Sequence, residues 1–235
     1  MAFAKLRGAL KTCGRPMPLA TKGLRVIDLY TWTTPNGRKA SIALEEMGVP
    51  YTAHAVDITK DEQFKPDFLK ISPNNRIPAI VDRDNGLQLM ESGAILLYLA
   101  EKTGKLMPKG LEQRYRVTEW LMWQMGGIGP ILGQVHHFAK YNPGKAPYAE
   151  ERFLKEANRL YGVLDRRLAE REYVADEYSI ADIAIWPWVS RYEWLQIDFS
   201  RYPNVKRWYT QIAKRPAVQK GYDVPKKVNE IPIPA

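Results

Sequence analysis

The spacing of apolar and polar positions changes character several times along the chain. In LRVIDLY (24–30) the apolar residues crowd as in a buried strand. After the turn TWTTPNG the period lengthens to that of a helix, with Ala40, Ala43, Leu44 and Met47 on one face. YTAHAVDI (51–58) returns to strand character and completes a βαβ unit, and an irregular stretch follows. RIPAIVD and LQLM then flank Asn85-Gly86, a strong hairpin-turn signal. ESGAILLYLAEKTG predicts a helix with Ser92 at its N-cap and Gly104 closing its C-terminus. Residues 24–104 thus form one βαβ–ββα unit, a small mixed sheet with helices. KLMPKGL (105–111) reads as a linker, and everything over 112–223 reads as helical. The clearest helix there places Phe153, Ala157, Leu160, Tyr161, Leu164 and Leu168 on one stripe. In YSIADIAIW, Ser179 and Asp182 make a capping box, and Tyr178 and Ile183 can close a hydrophobic staple over it.

Composition narrows the class. The 235 residues, 45% hydrophobic, suffice for one large or two small domains with a proper core. No apolar stretch approaches the roughly 20 residues that a membrane span needs, so no membrane partner is expected. A net charge of +9 invites a nucleic-acid reading, but its distribution argues against one. Lys5, Arg7, Lys11, Arg15 and Lys22 stand in an acid-free extension over 1–23, which leaves +4 for the rest. That extension is poor in Ser for a transit peptide and lacks the apolar core of a secretory signal. We read it as a flexible basic extension, and 224–235 as a Pro-rich tail. The single cysteine, Cys13, lies in the extension, so no internal disulfide or paired redox motif is possible. The whole fits a cytoplasmic protein, and Cys13 is expected to be a bystander rather than a nucleophile.

Chemistry concentrates in the first domain. Thr34 is a good N-cap and Pro35 a good first helical residue, and the free N–H groups of such a turn point outward. Pro78 interrupts a strand-like run, where proline removes a ladder hydrogen bond. A cis Ile77–Pro78 bond would explain it and leave the Ile77 main chain free to pair with an extended peptide. Glu91 and Ser92 open another helix and offer a charge for an amine and a donor for a carboxylate. Together these outline a peptide site with an anion pocket at one end. Tyr30 belongs to the strand and is expected to pack. His136 and His137 point about 100° apart on a helix, so a shared metal is not expected and they should shape a cleft instead. Trp186, Trp188 and Trp194 read as core, with Pro187 bending their helix. Trp32, Trp123 and Tyr141 are candidates for an open apolar pocket.

TPNG, FLKISPNNRIPAIVD, ESGAILLYLAEKTG, GPILGQVHHF and YSIADIAIWPW resemble the glutathione transferases, and within them the bacterial and fungal Nu class. The resemblance runs from residue 24 to about 220. It implies a thioredoxin-like N-terminal domain followed by an all-helical C-terminal domain, in a homodimer. It also implies glutathione as ligand, one or two molecules per site or glutathione disulfide, with no metal. Thr34 stands where thiol-using relatives keep a cysteine and would hydrogen-bond the glutathione sulfur, with Asn36 assisting. Ile77 beside Pro78 would pair with the cysteinyl backbone, and Glu91 and Ser92 would hold the γ-glutamyl end. Gln63 and Arg76 would reach toward the glycine end, while Arg152 would reach the partner's site across the interface. Gln134 and His137, with Trp32, Trp123 and Tyr141, would line the second-substrate pocket.

The physics of the turn agrees with that implication. A free thiol titrates near 8.5, so only a few per cent is thiolate at neutral pH. A helix N-terminus and one or two neutral donors lower that value. Pro35 has no N–H, so the realistic donors are the Thr34 hydroxyl and the amide and N–H of Asn36. The resemblance favours disulfide reduction by two glutathiones. Transfer of glutathione to carbon electrophiles, including aromatic ether cleavage, is the alternative enzymatic reading. A non-catalytic, transferase-like regulatory module is the third.

Overall fold

A computed structural model of the chain describes residues 26–234; the basic extension and Cys13 lie outside the described residues. Strand β1 (Ile27–Thr31) runs through a four-stranded sheet of order β2-β1-β3-β4. β2 (Tyr51–Ala55) pairs with it in parallel, β3 (Ala79–Asp82) antiparallel, and β4 (Gln88–Met90) antiparallel to β3. The parallel β1–β2 pair requires a crossover, which helix α1 (Pro35–Met47) provides. Alternation along β1 decides what each residue touches. Ile27 and Leu29 enter the main core, and Tyr30 packs on a smaller cluster around Val56, Phe68 and Ala79. Tyr30 stacks on His54 at 4.7 Å, the packing role expected of it.

One short helix has no mark in the sequence, and one helix start differs from the expected one. The stretch after β2 holds a helix, α2 (Pro66–Ile71), whose one buried residue is Phe68. Six residues with one apolar anchor give no usable period. Helix α3 (Ser92–Thr103) does end at Gly104, with φ 68°. Its start differs from the expected one. Ser92 is already the first helical residue, and Glu91 occupies the cap position with no side-chain cap bond. Ser92 is buried and its hydroxyl lies 3.4 Å from the Lys39 ammonium, so it is not the N-cap.

The rest is mainly helical. α4 (Leu111–Trp123) and α5 (Gly129–Val135) follow one helical path to Tyr141. That path is interrupted by wide π-type turns at Gln124–Ile128 and His136–Tyr141. Such turns insert an extra residue and re-aim the side chains around it. α6 (Pro147–Leu168) buries the stripe Ala157, Leu160, Tyr161, Leu164 and Leu168. α7 (Ile180–Val189) is buried at every position and carries Pro187 in its interior. Its capping box is formed as expected, and Asp182 also accepts from Trp208 Nε1 at 2.8 Å and Val174 N at 3.1 Å. α8 (Pro203–Ala213) and α9 (Pro216–Tyr222) complete the bundle, with irregular chain between 169 and 179 and between 190 and 202.

The two halves share one core, and α1 is its centre piece. It is buried on nearly all sides rather than on one apolar face. Arg38 Nε donates to Tyr222 O at 3.1 Å and Ser41 Oγ to Gly221 O at 2.6 Å. α9 approaches so closely that a Cβ on Gly221 would lie 2.6 Å from Ile42 Cα. The start of α1 is thereby held rigidly against the helical domain.

Candidate active site

The turn between β1 and α1 has the geometry its sequence suggested. Thr34 is extended (φ −108°, ψ 161°) and caps α1, its Oγ1 accepting from Gly37 N at 3.1 Å. Pro35 is the first helical residue. Gly37 is needed because a Cβ there would collide with the Trp32 carbonyl oxygen. The Thr34 oxygen is an acceptor in this contact, so its own hydrogen remains to be donated. Asn36 Oδ1 lies 3.0 Å from Trp188 Nε1 on α7. An indole nitrogen can only donate, so the facing atom must be the amide oxygen and the NH₂ group turns the other way.

That other side is open. A cleft of about 950 Å³ runs along the turn, lined by Trp32, Thr34, Asn36, Gln63, Arg76 and Ile77 on the sheet side. Gly133, His136, His137, Tyr141, Trp188, Arg191 and Trp194 line the helical side. A second pocket of about 230 Å³ shares Asn36, Arg76 and Ile77 with it and adds Pro78, Glu91, Ser92 and Met125. The Ile77–Pro78 bond is cis. Glu91 has φ 69° and ψ 114°, a positive φ that costs a non-glycine residue and is kept only where surroundings impose it. Gln63 is buried with its Oε1 unpartnered.

The electrostatics are one-sided. Among the described residues the cleft wall includes Arg76 and Arg191 and no Asp or Glu, so it favours an anionic occupant. Burial, reinforced by the charges of Arg191 and Lys140, pushes the His136 ring down to about 4, so it is neutral at pH 7. Its ring sits 5.6 Å from that of Trp188 and 5.4 Å from that of Trp194. Among the described residues no group of three or more His, Cys, Asp or Glu could hold a metal ion.

Most of the residues singled out from the sequence converge here, with exceptions that have simple causes. Trp123 stands edge-on to Trp120 at 5.1 Å, at the margin of the hydrophobic core rather than in the cleft. Gln134 is exposed beyond the cleft wall, because the helical path turns Gly133 and His136 inward instead. Arg152, on α6, lines a separate pocket with Tyr148, Lys155 and Arg159, outside the cleft. Trp186 and Trp188 are buried in the core as expected, although Trp188 also lines the cleft; Trp194, expected in the core, is only half-buried and forms part of the cleft wall. Arg191 and the tail residues Val228 and Asn229 were not foreseen. The tail folds back, with Lys226 Nζ 4.5 Å above the Trp32 ring and the Tyr209 hydroxyl donating to Pro232 O. Nothing in the sequence marked it, since its contacts are long-range and its composition is that of a linker.

Comparison with known proteins follows the same outline. The model of the glutathione S-transferase N-terminal domain matches residues 25–101, and that of the C-terminal domain matches 128–216. The chain belongs to the glutathione S-transferase family. It is 52% identical over 198 residues to disulfide-bond oxidoreductase YfcG of Escherichia coli, covering 82% of this chain and 92% of that one. It is 40% identical over 236 residues to disulfide-bond oxidoreductase YghU of the same organism, covering 91% and 82%. These relatives bear out the disulfide-reductase, Nu-class type of transferase. Among solved structures, a Pseudomonas putida glutathione transferase with one glutathione disulfide per subunit superimposes with TM-score 0.82 at 46% identity, covering 87% of this chain and 94% of that one. A Burkholderia graminis glutathione transferase with two glutathione molecules per subunit gives 0.80 at 44%, covering 87% and 90%.

Proposed function

We propose that this transferase reduces disulfides with glutathione, and that the start of α1 ionises the bound thiol. One observation carries the reading: Thr34 and Asn36 present spare donors to a large cleft that no cysteine of the described residues lines. The thiol must therefore arrive with the ligand. The N-terminal dipole of α1, the Thr34 hydroxyl and the Asn36 amide all favour its anion.

The reaction proceeds in two exchanges. A glutathione thiolate attacks one sulfur of the substrate disulfide, forming a mixed disulfide and expelling a thiolate. A second glutathione thiolate attacks the glutathione sulfur of that intermediate and releases the second substrate thiolate. Two glutathiones and one disulfide thus give glutathione disulfide and two thiols, the glutathione protons ending on the products. The same donors that hold the attacking sulfur stabilise it as it leaves in reverse.

The cleft has room for two tripeptides, as in the Burkholderia graminis structure, or for the disulfide found in the Pseudomonas putida one. Glu91 and Ser92 would hold the γ-glutamyl end, the Ile77 main chain the cysteinyl unit, and Arg76 with Gln63 the glycine end. Arg152 would act on the partner's site, which makes the homodimer the working unit. A panel of a small disulfide, an organic peroxide and an aromatic halide, each with glutathione, tests the reading. The disulfide should be turned over fastest, and preference for the halide would refute it.

A further inference from the structure

Lys39 lies on α1, five residues beyond the thiol turn, and is 1% exposed. Among the described residues its ammonium touches only neutral atoms: Gln124 Oε1 at 2.7 Å, Ser92 Oγ at 3.4 Å and Met125 Sδ at 3.7 Å. A buried cation without a carboxylate on it is costly, and proteins rarely keep one without a use. Ser92 lines the smaller pocket, directly between this ammonium and the space a ligand would fill. Because Ser92 Oγ accepts from Lys39, its hydrogen must point elsewhere, and in this structure it reaches only Met125 Sδ at 3.8 Å.

We propose that Lys39 is the buried counter-cation for the carboxylate of the ligand's γ-glutamyl group, acting through Ser92. Lys39 is a positioning residue: it fixes the Ser92 hydroxyl with its hydrogen toward the pocket and supplies the positive charge behind it. This rests on the glutathione reading and deepens it. Among the described residues few other charges reach the site. α3 contributes Glu91, which is exposed; the wide turn after α4 brings only Gln124 and Met125; and α7 carries Asp182, bonded within its own cap. Burial, only partly offset by the Glu91 charge, holds the ammonium down to about 7 in the empty pocket.

The consequence is a proton linked to binding. Above pH 7 the empty site holds Lys39 largely neutral, and an arriving carboxylate favours the ammonium. Ligand binding at pH 8 must then take up protons. The unfolded chain, with Lys39 at its ordinary value, binds more protons than the empty folded one. The Lys39 contribution to stability therefore rises with pH between about 7 and 10.5, and bound ligand flattens that rise.

The test uses S-methylglutathione, which has no thiol proton to confuse the count. Calorimetry at pH 8 in buffers of different ionisation enthalpy should show proton uptake by the wild type. The γ-aminobutyryl analogue, which lacks that carboxylate, should show none. Lys39→Met should lose the uptake and bind S-methylglutathione at least tenfold more weakly, while binding the analogue as the wild type does. Uptake that is equal for both ligands in the wild type overturns the proposal whatever the variant does. So does an affinity loss in Lys39→Met that is the same for both ligands. Absence of any S-methylglutathione binding by the wild type would instead remove the glutathione reading itself.

Discussion

The hydrogen bond from Trp188 to Asn36 ties the helical domain to the thiol turn, and its removal has a calculable effect. Trp188→Phe keeps an aromatic ring against His136 but deletes the Nε1–H that holds Asn36 Oδ1 at 3.0 Å. Without it the amide can rotate and turn its oxygen, rather than its NH₂, toward the thiolate. A neutral hydrogen bond contributes about 0.5–1.5 kcal/mol, and about 1.36 kcal/mol is tenfold in rate. Trp188→Phe should therefore lower kcat/KM for disulfide reduction by about twofold to tenfold. Asn36→Ala removes the donor itself and should cost about a hundredfold, the lower end for a preorganised donor, because other donors remain. The decisive quantity is the coupling. If Trp188 acts through Asn36, the double variant is no worse than Asn36→Ala alone. Denaturant midpoints for each variant separate this effect from loss of packing. Multiplying effects in the double variant, or full activity in Trp188→Phe, would refute the role.

Two further outcomes follow from the packing and a third from the proposed role of Arg152. Asp182→Ala strands the N–H groups of Trp208, Val174 and Ser179 in the core, so urea unfolding should show a loss of about 3–5 kcal/mol, and less for Asp182→Asn. Gly221→Ala forces a Cβ to 2.6 Å from Ile42 Cα, where backbone cannot yield, so Tm should fall by several degrees, roughly the effect of 1–3 kcal/mol of overpacking. Arg152→Ala should weaken glutathione binding by about 1–3 kcal/mol with unchanged Tm; a fully active monomer on size-exclusion chromatography would contradict its action across an interface.

Local signals in the sequence mark the larger elements and the turn that opens α1. Thr34-Pro35 reads as a helix start, Asn85-Gly86 as a hairpin, and Ser179 with Asp182 as a capping box, because each depends on neighbours in the chain. The failures are non-local. Ser92 resembles an N-cap, but it is the first helical residue, buried beside Lys39, and Glu91 with its positive φ holds the cap position. Trp194 looks like core because aromatic residues are usually buried, and only the fold shows that a cleft opens over it and over one edge of the buried Trp188. The tail carries no period at all, so its return to Trp32 could not be read. Arg191 has no local mark either; it lines the cleft because α7 ends there.

The central claim is that the turn lowers the pKa of a thiol the protein does not own. Titration of the thiolate absorbance of bound glutathione measures this directly. In the wild type the midpoint should lie below the value of about 8.5 for a free thiol. Thr34→Val keeps the β-branched shape but removes a hydrogen bond to a charged sulfur, a loss of about 1.5–3 kcal/mol. At about 1.36 kcal/mol per unit, the midpoint should rise by about one to two pH units with affinity at low pH little changed. A bound thiol that titrates no lower than the free one, or a midpoint that Thr34→Val leaves in place, would contradict the account.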